Sequence, residues 1–213
     1  MVSQLIQNEL RRADVLRQEF ERIVYGREEC KLDERSWYLL AYWSLAKEHH
    51  LAMITLIVRE IHGSAAALLR PIVEAVVRGH LVLFCSAKEL ERIRKDKYHV
   101  NFSKVGRVID KRFGLETFLQ DFLRDSAKIL HSYTHGGILP VQRRYKDNTL
   151  QPNYQDDELV GLIHTTTSGL FLLTNILTKH LGYEEEWKRA TALYVAWGKA
   201  WDPIAAPWTC PQK

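Results

Sequence analysis

The densest run of side chains able to do chemistry is Arg124-Asp125-Ser126-Ala127-Lys128-Ile129-Leu130-His131-Ser132-Tyr133-Thr134-His135. On a helix of 3.6 residues per turn, Arg124 and His131 stand one above the other, and His131 and His135, four apart, are neighbours. One face then offers a guanidinium and two imidazoles, with Asp125 and Tyr133 slightly off the stripe. That combination suits phosphate esters. A guanidinium holds a phosphoryl group and stabilises its developing charge, while an imidazole moves a proton near neutral pH. On RNA the adjacent 2′-hydroxyl is the nucleophile, so neither metal nor cofactor is required in principle, and cleavage leaves a cyclic phosphate.

The same histidines admit two other roles. His131-x-x-x-His135 can supply two metal ligands from one helix face, with Glu74 or His80 completing the shell, although no Glu-x-x-His pair accompanies them. Alternatively both are hydrogen-bonded structural histidines, as is the default for the scattered His49, His50, His62, His80, His164 and His180. Arg70, Glu74 and Arg78 form an i, i+4 ladder in an otherwise apolar helix. Buried charge must be paired. The ladder is therefore either a salt-bridge network locking the fold or a support that reaches the His131/His135 helix, behind it or as contacts to RNA phosphates. Lys88 to Arg112 holds nine basic and four acidic residues. A later cluster, Arg143-Arg144-Tyr145-Lys146, sets an aromatic able to stack on a base among basic side chains, which makes Arg143, Arg144 and Lys146 candidate RNA contacts. A solvated helix face carries the same mixture of charge. No glycine-rich phosphate loop, Gly-x-Ser-x-Gly elbow or dinucleotide fingerprint is present, which argues against the common nucleotide and hydrolase folds.

The elements that must position these residues read as helices. No proline precedes Pro71, and only Pro140 and Pro152 punctuate the middle before Pro203, Pro207 and Pro211. Long proline-free reaches can hold long helices. Leu5, Ile6, Leu10, Ala13, Leu16, Phe20, Ile23 and Val24 recur at helical steps between a possible N-cap, Ser3, and a stop at Gly26, predicting a helix over 3–25. A second is expected from the N-cap Asp33 to Gly63, with a bend around Glu48-His49-His50. A third, Ala65 to about Ser86, is capped by Ser64, apolar on nearly every face and kinked or shifted in register by Pro71. One or two short helices are expected over 88–112, then a helix from Leu115 to His135 ended by Gly136-Gly137. Residues 138–157 have loop chemistry, and two last helices are expected over 157–181 and 183–201. No stretch shows sustained strand alternation.

Composition agrees with one globular all-α unit. The chain has 213 residues, 46% hydrophobic and 26% charged, enough to bury a core without staples. A single helical bundle of six to eight helices over 1–202 is expected, followed by a Pro/Trp-containing tail at 203–213. Trp187, Trp197, Trp201 and Trp208 near that end read as packing residues. The net charge of +4 permits a polyanionic partner without demanding one. Cys30, Cys85 and Cys210 are odd in number and far apart, so a reducing, cytoplasmic setting is expected. The amphipathic N-terminus lacks the apolar run of a signal peptide. The stretch from Leu159 to Leu177 is interrupted by His164, Thr165-Thr166-Thr167 and Ser168, and reads as a buried helix rather than a membrane span.

The run Arg124-Asp125, five residues, His131 resembles the arginine, polar residue, histidine signature of the HEPN superfamily, and His131-Ser132-Tyr133 is similar to the His-x-Tyr ending of its toxin branch. That branch spaces Arg and His more closely. The resemblance implies an all-α domain that dimerises, joins two Arg/His pairs in a cleft and cuts RNA without metal, in toxin–antitoxin, antiphage or stress systems, with an antitoxin or another defence protein as partner. By that resemblance Arg124 would stabilise the phosphate, His131 act as acid and base, Asp125 orient the site, and Tyr133 be a target of regulatory modification. Glu48-His49-His50, the segment Gly63 to Ala75 and the segment Leu130 to Gly137 also resemble a family of bacterial helical proteins. A non-catalytic interaction or sensor protein of a defence complex is the alternative reading, and a metal-dependent helical hydrolase the third.

Overall fold

The computed structural model describes residues 2–26, 32–98, 100–114 and 116–199. Cys30, Leu115, Cys210, Trp201, Trp208 and the tail at 203–213 lie outside them. The elements are α1 (Gln4–Tyr25), α2 (Glu34–Val58), α3 (His62–Ala67), α4 (Leu69–Phe84), α5 (Ala87–Arg94), α6 (Phe102–Phe113), α7 (Phe118–Thr134), α8 (Ile138–Gln142), the strands β1 (Tyr145–Lys146) and β2 (Thr149–Leu150), α9 (Asp156–His180) and α10 (Glu184–Lys199). The expected all-α bundle is present.

Local chemistry explains most helix ends. Ser3 accepts from the backbone of Ile6 and Asp33 from that of Ser36, as their N-cap positions require. Ser86 and Glu89 form a reciprocal capping box that starts α5. α2 does not run on to Gly63. It ends at Val58, and Glu60 takes the left-handed region at φ 60°. The next helix starts at His62 rather than after Ser64, and it stops at Leu68 instead of continuing to Ser86. Pro71 is then the third residue of α4, in the first turn, where its missing N–H leaves no gap in the helix ladder. Arg35 of α2 closes the far end of α4 by donating to the carbonyls of Val82 and Cys85.

The core gathers on α9, against which α1, α2, α4 and α10 all pack. By length and composition α9 could cross a membrane, yet 67% of its apolar window is buried in the fold, which is the arrangement of a core helix. Its threonines are satisfied internally: Thr166, Thr167, Thr174 and Thr178 donate to carbonyls one turn back. Thr174 also accepts from the indole of the fully buried Trp43 at 2.8 Å. α4 lies so close to α9 that a β-carbon on Gly79 would stand 2.6 Å from Leu173 Cδ2.

Residues 138–157 are more ordered than their loop chemistry suggested. After α8, Tyr145 pairs with Leu150 and Lys146 with Thr149 in a hairpin whose two-residue turn, Asp147-Asn148, has both φ angles positive at 50° and 60°. That is the primed turn favoured by the strand twist.

Candidate functional site

α7 is a half-buried helix whose inner face is Leu119, Leu123, Leu130 and Tyr133. Packing of that face against α6, α4 and α3 turns Arg124, Asp125, Lys128, His131 and His135 outward. Its start is fixed by Asp110, a fully buried carboxylate on α6 that accepts from the backbone N–H groups of Leu119 and Gln120, both at 2.8 Å. Two of the four orphan donors at this helix end are thereby satisfied. Its finish is Gly136, at φ 67°, followed by a bond from the Gly137 N–H to the Ser132 carbonyl.

On this exposed face His131 and His135 lie with ring centroids 4.5 Å apart. A guanidinium is beside them, and it comes from α4. Arg70 Nη1 stands 3.2 Å from His131 Nδ1, while Arg70 Nε donates to Glu74 Oε1 at 2.9 Å. The Arg70 and Glu74 side chains are 28% and 30% exposed, so the pair is anchored but open to solvent. The ladder divides at its third rung, because Arg78 faces Tyr42 on α2.

Arg124 is arranged differently. It is 63% exposed and gripped by two carboxylates, with Nη1 2.8 Å from Asp121 Oδ1 and Nε 2.8 Å from Asp125 Oδ1. The Arg124 guanidinium holds the Asp125 carboxyl below its ordinary range. Two helical turns, about 10 Å along the axis, separate Arg124 from His131. Tyr133 is turned inward and buried beside the phenol of Tyr154, which burial and the Tyr133 phenol push well above its usual pKa.

Of the later basic cluster, Arg143 is half-buried, ion-paired to Glu158 and set over the ring of Tyr154. Arg144 reaches across to α3, where its guanidinium would lie 3.3 Å from a β-carbon on Gly63, and Lys146 is exposed on the hairpin. His80 is buried and donates from Nδ1 to the Val76 carbonyl. Among the described residues no group of three or more His, Cys, Asp or Glu side chains is placed to hold a metal ion.

Sequence spacing thus brought out the α7 face but not Asp110, which was one of four acids in a basic stretch. Its role depends on a contact nine residues away across the α6–α7 turn, and no local pattern marks it. No curated protein and no solved structure matches the chain. The match to a family model runs from Trp43 in α2 to Lys199 at the end of α10, taking in Arg70, Glu74, Asp110 and all of α7, and with well over half its length so covered the chain belongs to DUF6988, a family of unknown function.

Proposed function

We propose that the protein is a metal-independent endoribonuclease of HEPN type, working in the bacterial cytoplasm in antiphage or stress defence, as a dimer or larger assembly. The observation that carries this reading is the exposed imidazole pair, His131 and His135, with a guanidinium in contact with the first ring. In the cleavage step the RNA 2′-oxygen bonds to phosphorus as the bond to the 5′-oxygen breaks. The 2′-hydroxyl proton passes to His131, and protonated His135 supplies one to the departing 5′-oxygen. A 2′,3′-cyclic phosphate and a 5′-hydroxyl result. Arg70, in contact with His131, and Arg124, two turns away on the α7 face, are the candidates to hold the phosphate.

The test is RNA cleavage in excess chelator by the wild type and by His131→Ala and His135→Ala. Loss of cyclic-phosphate product in His131→Ala is expected, by about 100-fold or more. Activity surviving both substitutions would remove the site from this face. A second reading, a non-catalytic interaction or sensor protein, is favoured by α2, whose outward stripe of Trp37, Leu45, Leu51 and Val58 is apolar and exposed. It predicts no cleavage by the wild type under any of these conditions.

A further inference from the structure

We infer that Arg70, not Arg124, is the guanidinium that receives the phosphate at His131, and that the phosphate does so by drawing Arg70 off the imidazole. The inference takes its substrate class from the ribonuclease reading, but the anion site it describes stands on geometry of its own.

A guanidinium has donors and no acceptor, so in the contact between Arg70 Nη1 and His131 Nδ1 the imidazole nitrogen accepts. His131 is then neutral, with its proton on Nε2. While the contact lasts, the lone pair that a general base would use is occupied. A phosphate oxygen is a better partner for Arg70, because the bond to it is charge-assisted on both sides. As Arg70 turns its Nη donors to phosphate, Nδ1 is uncovered beside the bound ester, where the 2′-hydroxyl proton has to go. Glu74 makes this possible by holding Nε, the inner edge of the guanidinium, and leaving the outer edge for the ligand.

Arg124 lacks each of these properties. It is two turns from His131, and Arg124, Asp121 and Asp125 together carry a net charge of −1, which repels a phosphate. Helix stability also gives little reason for an arginine at position 70, beyond its ion pair with Glu74. It stands in the first turn of α4, the end where a cation is disfavoured, and an arginine four residues before a glutamate is the weaker order of that pair.

The experiment follows the imidazole resonances of His131 and His135 by NMR during titration with inorganic phosphate. The wild type, Arg70→Ala, Arg70→Lys and Arg124→Ala are compared, each checked for helical content by circular dichroism, with RNA cleavage in chelator measured on the same samples. Saturable shifts in the wild type are expected, weakened at least about tenfold in Arg70→Ala. Arg70→Lys should recover part of the affinity, since a lysine supplies charge without the fork. Arg124→Ala should change it by less than about threefold, the scale of an exposed charge. Phosphate binding that survives Arg70→Ala but is lost in Arg124→Ala overturns the inference and leaves the ribonuclease reading intact. Arg70-dependent binding without any RNA cleavage upholds the anion site and removes the ribonuclease reading. No saturable response in the wild type overturns the inference whatever the cleavage result.

Discussion

Lowering the pH from 7 to 5 should cost this fold about 4 kcal/mol, through two histidines that never touch the candidate site. His50 on α2 and His80 on α4 are both fully buried, and burial holds each pKa down to about 4, from an ordinary 6.5. The hydrogen bonds agree with neutral rings. Thr167 spends its hydroxyl proton on the Ile163 carbonyl at 2.7 Å, so His50 Nε2 donates to that hydroxyl oxygen, and His50 Nδ1 is buried with no partner among the described residues. Protonation there would bury a charge and a bare N–H together. Above pH 6.5 neither the folded nor the unfolded chain binds these protons. Between 6.5 and 4 the unfolded chain takes them up and the folded chain does not, so stability is present above 6.5 and drains away as pH falls toward 4. At 1.36 kcal/mol per unit of pKa difference, each histidine removes about 2 kcal/mol between pH 7 and pH 5. The pair together is a large part of the roughly 5–15 kcal/mol that stabilises a domain. Urea unfolding at half-unit pH steps measures this in the wild type and in the double variant His50→Gln, His80→Asn, which keeps a side-chain donor at each place without a titrating group. The double variant starts from a lower stability at pH 7, but its pH dependence should flatten by about two protons. A double variant that loses stability between pH 7 and 5 as steeply as the wild type would refute the reasoning.

Two packing predictions accompany it. Gly79→Ala puts a methyl 2.6 Å from Leu173 Cδ2 and 3.3 Å from Leu39 Cδ1 in a filled core, and should destabilise by about 1–3 kcal/mol in urea melts. The usual gain in helix propensity, about 1 kcal/mol, would win only if Leu173 could move aside, and a stabilised variant would show that it does. Asp110→Ala frees two backbone N–H groups inside the fold and should cost about 1–3 kcal/mol, with faster hydrogen exchange at Leu119 and Gln120 and a parallel loss of phosphate binding at His131. Unchanged exchange at those two amides would mean that α7 is held by its apolar face alone.

The helices were legible where their signals are local. Ser3 and Asp33 mark helix starts because a cap acts on the next three residues, and the apolar stripe of α1 repeats within a turn. The core position of α9 was legible from the same kind of evidence, since the threonines that interrupt a long apolar helix can satisfy their hydroxyls on its own carbonyls. Breaks were read less well. Pro71 announced a disturbance, but the chain divides three residues earlier, at Leu68, since proline costs nothing within a first turn and the break is free to settle before it. The hairpin at 145–150 escaped because strands of two residues are too short to show alternation, and the pair Asp147-Asn148 was its only signal.

The candidate site divides along the same line, and the division says something about how such a site is built. Arg124 and His131 were visible as a pair because one helix carries both, and spacing along a helix can be counted. Arg70 lies 61 residues before His131, and their contact exists only because α4 and α7 are packed together. Counting along one helix cannot find a partner on another, nor show that α7 already pairs Arg124 with its own Asp121 and Asp125. The sequence still held a trace of Arg70, an arginine at the start of an apolar helix, where the helix dipole disfavours a cation and the order of its ion pair with Glu74 is the weaker one. A charge placed at a local cost is best explained by what it meets across the fold, and here it meets an exposed imidazole.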